Sequence, residues 1–353
     1  MIVRHILCHH AQLIAHPVGD GNALELNSWG TAMMDCGGDA RAIQVLHSAA
    51  ARGMSEFLLT HLHFDHYSGI SRQPPGTKLP FDVDQLFLPA LPLIKDHSLT
   101  ENFALTLFTM NKILGGKSGI PEQDLIDGFT SLNPTSTSPS HAFLSKGDSF
   151  DLAGIPFQVL WPPRVASDLV ATSAKNAIDV FEKAIENNEQ AKEIRERLRD
   201  QAAQAARRAV QRADEHDDRS ADASQEEDST DNEEFIDGAL EIPETLINAN
   251  RAIRRVANRL SLAFRCGTRL IHLGDLERAE LNQVVTDLGP AKEFFGMIAA
   301  HHGTHFSSKM NRLRALHLVV SNGSRRPNLQ AGYRKIARFI QETNVHGHSF
   351  LVF

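Results

Sequence analysis

Thr60-His61-Leu62-His63-Phe64-Asp65-His66-Tyr67-Ser68-Gly69 places three histidines and a carboxylate within six residues. These side chains bind divalent cations, and four of them this close together supply ligands for one ion and a start on a second. The run just before, Phe57-Leu58-Leu59, is short, apolar and preceded by Gly53, the pattern of a buried strand that delivers the ligands at its C-terminal end. Open α/β sheets carry their chemistry at that end. If the chain stays extended through His63, side chains two apart point the same way, so His61 and His63 share one ion. Asp65 and His66 lie past the turn and face a second.

Upstream, short strands broken by Gly and Asn are predicted over residues 5–13, 23–26 and 31–34, with the turn Val18-Gly19-Asp20-Gly21-Asn22-Ala23 between the first two. The third strand ends at Asp35-Cys36-Gly37-Gly38-Asp39, whose glycines let the backbone turn sharply beneath a metal pocket. Asp35 either orients a ligand histidine or serves only the turn. Ile43, Leu46, His47 and Ala50 follow at helical spacing, with Gly53 as the stop. Downstream, residues 85–88 read as a strand and 97–114 as a helix. Residues 130–140 form a Ser/Thr/Pro-rich loop, with His141 just beyond it as an incidental residue or a further ligand. Residues 144–162 alternate around a glycine turn, as a hairpin and a core strand do.

Composition changes near Arg164. Residues 174–212 contain no Gly or Pro, and Ile178, Phe181, Ile185, Ile194 and Leu198 recur among charges at intervals that suit one long amphipathic helix. Such a helix packs on its parent domain or on another copy of the chain. Residues 214–234 are almost all Asp, Glu, Ser, Gln and Ala and read as a disordered acidic linker. Residues 164–249 are therefore expected to be an insertion within a single domain spanning 1–353. Order returns with a helix over 247–256 that carries Arg251, Arg254 and Arg255 on its polar face, then strands over 258–265 and 270–275. A helix through Leu281, Val284, Val285 and Leu288 follows. Further strands are predicted over 294–300, 316–320 and 349–353, with a basic helix over 333–340.

Three apolar strands, far apart in sequence, thus end in potential ligands: His61, His63, Asp65 and His66; then Asp275; then His301 and His302. A carboxylate such as Asp275 can bridge two cations, which together lower the pKa of a shared water. His301 and His302 are adjacent and cannot be equivalent ligands, so one binds metal while its neighbour contacts substrate or donates a proton.

His61-Leu62-His63-Phe64-Asp65-His66 resembles the HxHxDH signature of the metallo-β-lactamase superfamily. Val18-Gly19-Asp20-Gly21-Asn22-Ala23 resembles the VGQGDA turn of the soluble hydrolase domain of the competence protein ComEC, and Asp35-Cys36-Gly37-Gly38 resembles its DxG turn. Asn258-Arg259-Leu260-Ser261, Gly274-Asp275 and His301-His302-Gly303-Thr304 are similar to its NxxS, GD and HHGS motifs, in the same order. The resemblance implies an α/β fold, a four-layer αββα sandwich with a dinuclear site at one edge of its two sheets. It also implies hydrolysis of phosphodiester or phosphocholine-type esters, with a nuclease role in the ComEC branch. The expected metal ligands are His61, His63, Asp65, His66, Asp275 and His302. Asp65 is also expected to orient the attacking water, and His301 to serve the leaving or nonbridging oxygen. Asp35, Asn258, Ser261, Thr304 and Ser321 are expected to support ligands or touch substrate. The chain departs from the pattern at Asn22 and Asp20, which replace the acidic residue and the glutamine of the turn. Asn258 stands where many members carry a further histidine, which makes Mn2+ a rival to Zn2+ for the two ions.

The formal charge of -7 argues against wholesale nucleic-acid binding through net charge and leaves room for a local basic groove. Cys8, Cys36 and Cys266 are scattered and odd in number, so no disulfide framework or cysteine zinc site is expected, in keeping with a cytoplasmic chain. The N-terminus turns polar at Cys8-His9-His10 before a secretory core is complete, and no apolar run reaches membrane-spanning length, so no membrane insertion is expected. The expected function is a dinuclear hydrolase of phosphoesters, DNA or RNA foremost. A small phosphoester, lactone or thioester is one alternative substrate. An interaction protein that uses the 174–212 helix to bind a partner or a second copy is the other reading.

Overall fold

Alternate residues of almost every central strand go to different hydrophobic cores, and that alternation builds the architecture. The computed structural model describes residues 11–71, 83–90, 97–115, 140–200, 243–323 and 329–353. The first half of the chain supplies β1 (Gln12–Ala15), β2 (Leu24–Asn27), β3 (Thr31–Met34), β4 (Met54–Leu58), β5 (Gln85–Pro89) and β6 (Ser140–Leu144). With β14 (Ser349–Val352) they form one sheet in the order β14-β1-β2-β3-β4-β5-β6. The second sheet holds β7 (Ser149–Leu152), β8 (Ile155–Trp161), β9 (Ala263–Cys266), β10 (Leu270–His272), β11 (Lys292–Ile298), β12 (Leu313–Val320) and β13 (Ala337–Glu342). Its order is β13-β12-β11-β10-β9-β8-β7. β3 to β6 run parallel, as do β10 to β13.

Met34, Leu58, Phe87, Phe264, Leu270, Ile298 and Val319 face one another between the sheets. Their neighbours Met33, Phe57, Leu86 and Leu88 face outward from the first sheet into a helical layer. Ala263, Ile271, Met297, Leu318 and Val320 do the same from the second. Strands buried on both faces read as continuous apolar runs, and each needs a covering layer on both sides. The result is the expected four-layer αββα sandwich.

Helices α1 (Arg41–Ala51), α2 (Phe64–Ser71), α3 (His97–Gly115) and α4 (Asp168–Ile185) cover the first sheet. A helical segment α5 (residues 189–200) and α6 (Glu244–Arg259) complete that layer. α7 (Arg278–Asp287) lies on the second sheet. Ser167 caps α4 by accepting from the Val170 N–H, and Val170, Ala174, Ala177, Ile178, Phe181 and Ile185 form its buried stripe. That stripe packs against α6 and α3, so the apolar face of this region is used within the chain. Phe181→Ala is expected to cost about 3–5 kcal/mol in urea unfolding. A loss below about 1 kcal/mol would mean that α4 lies outside the core.

Three elements differ from expectation. The single helix over 174–212 is broken at residues 186–188, where the Asn188 side chain accepts from the Ala191 N–H and starts a new helix. Asn258 and Arg259 end α6 rather than open a strand, and β9 begins only at Ala263. The basic helix over 333–340 is a single turn, Tyr333–Ile336; the rest belongs to β13, because residues from Ala337 onward pair in parallel with β12. The predicted linker 214–234, Cys8 and the Ser/Thr/Pro-rich loop up to residue 139 lie outside the described residues. Among the described residues no helix is long and apolar enough to cross a membrane.

Candidate metal centre

Five parallel strands deliver the expected residues at their C-terminal ends. β3 leads into Asp35, β4 into residues 60–66, β10 into Gly274-Asp275, β11 into His301-His302 and β12 into Ser321. The Leu262 N–H donates to the Thr60 carbonyl at 2.7 Å and the Ser321 hydroxyl to the Gly21 carbonyl at 3.1 Å, so the ends of the two sheets are joined here. Among the described residues four non-glycine residues have positive φ, and three of them stand in this cluster: Asp35 at 59°, His301 at 47° and His302 at 54°. Left-handed backbone at such residues costs about 1–3 kcal/mol each and concentrates at functional sites.

Gly37 is required by contact. A Cβ on it would lie 1.8 Å from the Asp65 carbonyl oxygen and 2.3 Å from the His66 nitrogen, both backbone atoms of the ligand loop. Gly37→Ala is expected to displace that loop and weaken divalent-metal binding by at least about 10–100-fold in equilibrium dialysis. Gly30→Ala is the control, because nothing lies within 4 Å of its added methyl. Equal affinity in the two variants would remove the argument.

The Asp275 carboxylate sits at the centre. Its Oδ2 is 3.9 Å from His61 Nε2, 3.7 Å from His66 Nε2, 3.8 Å from His301 Nε2 and 3.6 Å from His302 Nε2. These separations are too long for hydrogen bonds, but they suit pairs of atoms that each reach one ion over about 2.0–2.2 Å. His61 Nε2 lies 2.9 Å from His63 Nδ1, and Asp65 Oδ2 is 3.9 Å from His302 Nε2. Three overlapping ligand groups result: His61, His63 and Asp65; His61, His66 and Asp275; Asp65, His66 and His302.

The electrostatics prepare these ligands. Burial holds His61 and His63 neutral, His61 down to about 3 and His63 well below the ordinary histidine range. Burial alone would lower His66 too, but the carboxylates of Asp35 and Asp275 outweigh it and hold the imidazole at about 10. Burial would raise Asp65 and Asp275; the surrounding histidines, and Arg254 beside Asp65, instead hold both well below the usual carboxylate range.

Asp35 is the buried support beneath the loop. Its Oδ2 accepts from His66 Nδ1 at 2.7 Å, the Thr60 hydroxyl at 2.6 Å and Asn22 Nδ2 at 2.8 Å, while Oδ1 accepts from the Thr60 N–H at 2.7 Å. Pinning His66 through Nδ1 turns Nε2 toward Asp275, where it could serve as a metal ligand. Thr60 and Asn22 were not foreseen as site residues. Asn22 stands at the position where the resembling turn is acidic, and there it binds the Asp35 carboxylate. Arg254 also arrives here, its guanidinium 3.6 Å from Asp65 Oδ2.

His301 and His302 have different surroundings. His302 Nδ1 donates to the Ser321 carbonyl at 2.7 Å, which leaves the Nε2 lone pair toward Asp65 and Asp275. His301 Nδ1 instead faces His305 Nδ1 at 3.2 Å and Asn258 Nδ2 at 3.4 Å. Ser321 therefore acts through its backbone, Thr304 donates its hydroxyl to the His301 carbonyl at 2.6 Å, and Asn258 faces His301 and Glu277 from the end of α6. Ser261 is buried beside Gly274, and among the described residues its hydroxyl has no hydrogen-bond partner.

The ligand set fits divalent cations. Among the described residues His63 Nε2 and His66 Nε2 are buried without a hydrogen-bond partner, a costly state for an imidazole nitrogen that a metal ion would relieve at His66. No family model matches the chain, and no curated protein matches it significantly. Among solved structures the chain is similar to the metallo-beta-lactamase fold protein YhfI from Bacillus subtilis, with 7% identity and a TM-score of 0.40 over 98% of this chain and 100% of that one. The four-layer fold itself rests on the sheet order and the three cores described above.

Proposed function

We propose that the chain is a dinuclear metal-dependent hydrolase of phosphodiesters in the manner of the ComEC-like metallo-β-lactamases, with a nucleic acid or nucleotide as substrate. The observation that carries this reading is Asp275 Oδ2 set among four imidazole nitrogens, with Arg254 beside Asp65. Divalent ions, Zn2+ or Mn2+, when held by His61, His63, Asp65, His66, Asp275 and His302, supply Lewis acidity toward the phosphoryl oxygens and lower the pKa of bound water.

The chain's own residues do the rest. Asp275 bridges the two ligand groups and offsets their charge. Asp65 orients the attacking water. His301 carries its proton on Nε2, because Nδ1 faces Asn258 and His305, and donates a hydrogen bond to the oxygen that gains charge. Arg254, its side chain 42% exposed, is free on its outer side to meet a substrate phosphate and hold it against the ions.

The test is elemental analysis of protein purified without chelator, paired with cleavage of DNA, RNA and bis-p-nitrophenyl phosphate. About two ions per chain with polynucleotide cleavage supports the reading. Activity on the small diester alone moves the substrate to a small phosphoester. Metal without hydrolysis of any of them rejects the phosphodiesterase assignment.

A further inference from the structure

We propose that Glu277, His301 and His305 form a third cation site for a transition metal such as Zn2+, distinct from the pair at Asp275. The donor atoms of the three side chains lie within 4.8 Å of one another. His301 Nδ1 is 3.2 Å from His305 Nδ1, and His305 Nδ1 is 3.8 Å from Glu277 Oε2 and 3.1 Å from the Leu276 carbonyl oxygen. In the metal-free chain His305 Nδ1 carries a proton, since the Leu276 carbonyl can only accept, and a cation would replace that proton between the two imidazoles. Ligands that share one ion over about 2.0–2.1 Å stand about 3.3 Å apart when the arrangement is tetrahedral.

Each residue is placed for the role. His301 serves both sites through different atoms, since its Nε2 looks toward Asp275 while Nδ1 belongs to the outer cluster. Glu277 stands at the N-cap position of α7 without capping it, so its carboxylate is turned to the cluster instead. The Tyr333 hydroxyl accepts from the Ala300 N–H at 2.9 Å and donates to the His305 carbonyl at 2.7 Å, which ties both ends of the histidine turn to one buried ring. The side chains of His301, His305 and Glu277 are 16%, 21% and 25% exposed, so an ion can enter from solvent.

Asn258 offers a further oxygen. Its Nδ2 points at Glu277 and His301, while its Oδ1 is buried without a hydrogen-bond partner among the described residues. Rotating the amide exchanges the two atoms and turns the oxygen into the cluster. Two imidazoles, a carboxylate and the amide oxygen then make four ligands for the ion. An ion on His301 Nδ1 also requires its proton to sit on Nε2, where it faces Asp275 and the substrate. The site does not depend on the phosphodiester assignment.

The full chain should be dialysed against Zn2+ and its zinc counted, with zinc-edge anomalous diffraction to place each ion. The expected result is about three ions in the wild type and about two in Glu277→Gln and His305→Ala. Saturation of the wild type at the Asp275 pair, or a third ion that persists in both variants, overturns the proposal. Should His305→Ala fail to fold, the near-isosteric Glu277→Gln and the anomalous map decide alone. A wild type whose zinc lies only at Glu277, His301 and His305 supports this site and refutes the dinuclear one.

Discussion

Asp275→Asn is expected to reduce hydrolysis by about 10³-fold or more, the rate equivalent of about 4 kcal/mol of transition-state stabilisation, and to lower the metal content to about one ion or none. The reason is geometric. One oxygen, Asp275 Oδ2, lies within 3.9 Å of the Nε2 atoms of His61, His66, His301 and His302, so a single carboxylate stands against ligands from both sheets. The amide keeps the volume and removes the charge that makes the oxygen a bridging ligand. Thermal melting in EDTA separates this from misfolding, since the metal-free variant should unfold cooperatively. Full metal content with activity within about tenfold of wild type would refute the bridging role.

Asp35→Asn is expected to destabilise the metal-free chain by about 3–5 kcal/mol and to weaken metal binding by about 10–100-fold. Asparagine tolerates the left-handed backbone at this position better than alanine, so the variant reports on the charge and hydrogen bonds. Loss of the carboxylate removes the main charge that holds the His66 proton in the interior and leaves its Nδ1 with a poorer acceptor. The pH dependence has a definite sign. His66 is raised to about 10 in the fold, so its contribution is complete below the unfolded histidine value near 6.5 and is lost as pH rises through about 10. Asp35, which burial alone would raise, is lowered by His66 and Thr60. Its contribution is present above the unfolded carboxylate value near 3.9 and is lost as pH falls through the lower folded value. The metal-free wild type should therefore lose stability between about pH 6.5 and 10, and Asp35→Asn should lack most of that slope in urea titrations. Metal binding must displace the His66 proton, so affinity in the wild type should rise over the same interval. A flat profile would show that the pair does not carry the charge assigned to it.

Chemistry that is local in the chain was legible without coordinates. His61, His63, Asp65 and His66 follow a buried strand directly, and Asp275 and His301-His302 follow β10 and β11 in the same way. Strand period, ligand type and spacing are properties of adjacent residues, and they sufficed for most elements, whereas the two-sheet sandwich was implied only by the family resemblance of the motifs. Even so, the break of the long helix at Asn188 was a capping signal hidden in a charged run. The strand character of residues 337–342 came from pairing with β12, which overrides local helical preference.

The sequence by itself determined which residues could hold metal and at which strand ends they would lie. The tertiary structure alone decided how they meet. Asp35 reaches His66 across thirty-one positions, Asn22 joins them from a turn, and Arg254 arrives from α6. The division of labour between His301 and His302 is likewise non-local, since the Ser321 carbonyl claims Nδ1 of one while His305 and Asn258 face Nδ1 of the other. Ligand identity is a property of a side chain. The separations near 3.6–3.9 Å around Asp275, the tautomers and the charge on His66 depend on which sheet ends are packed together, and only the fold sets that.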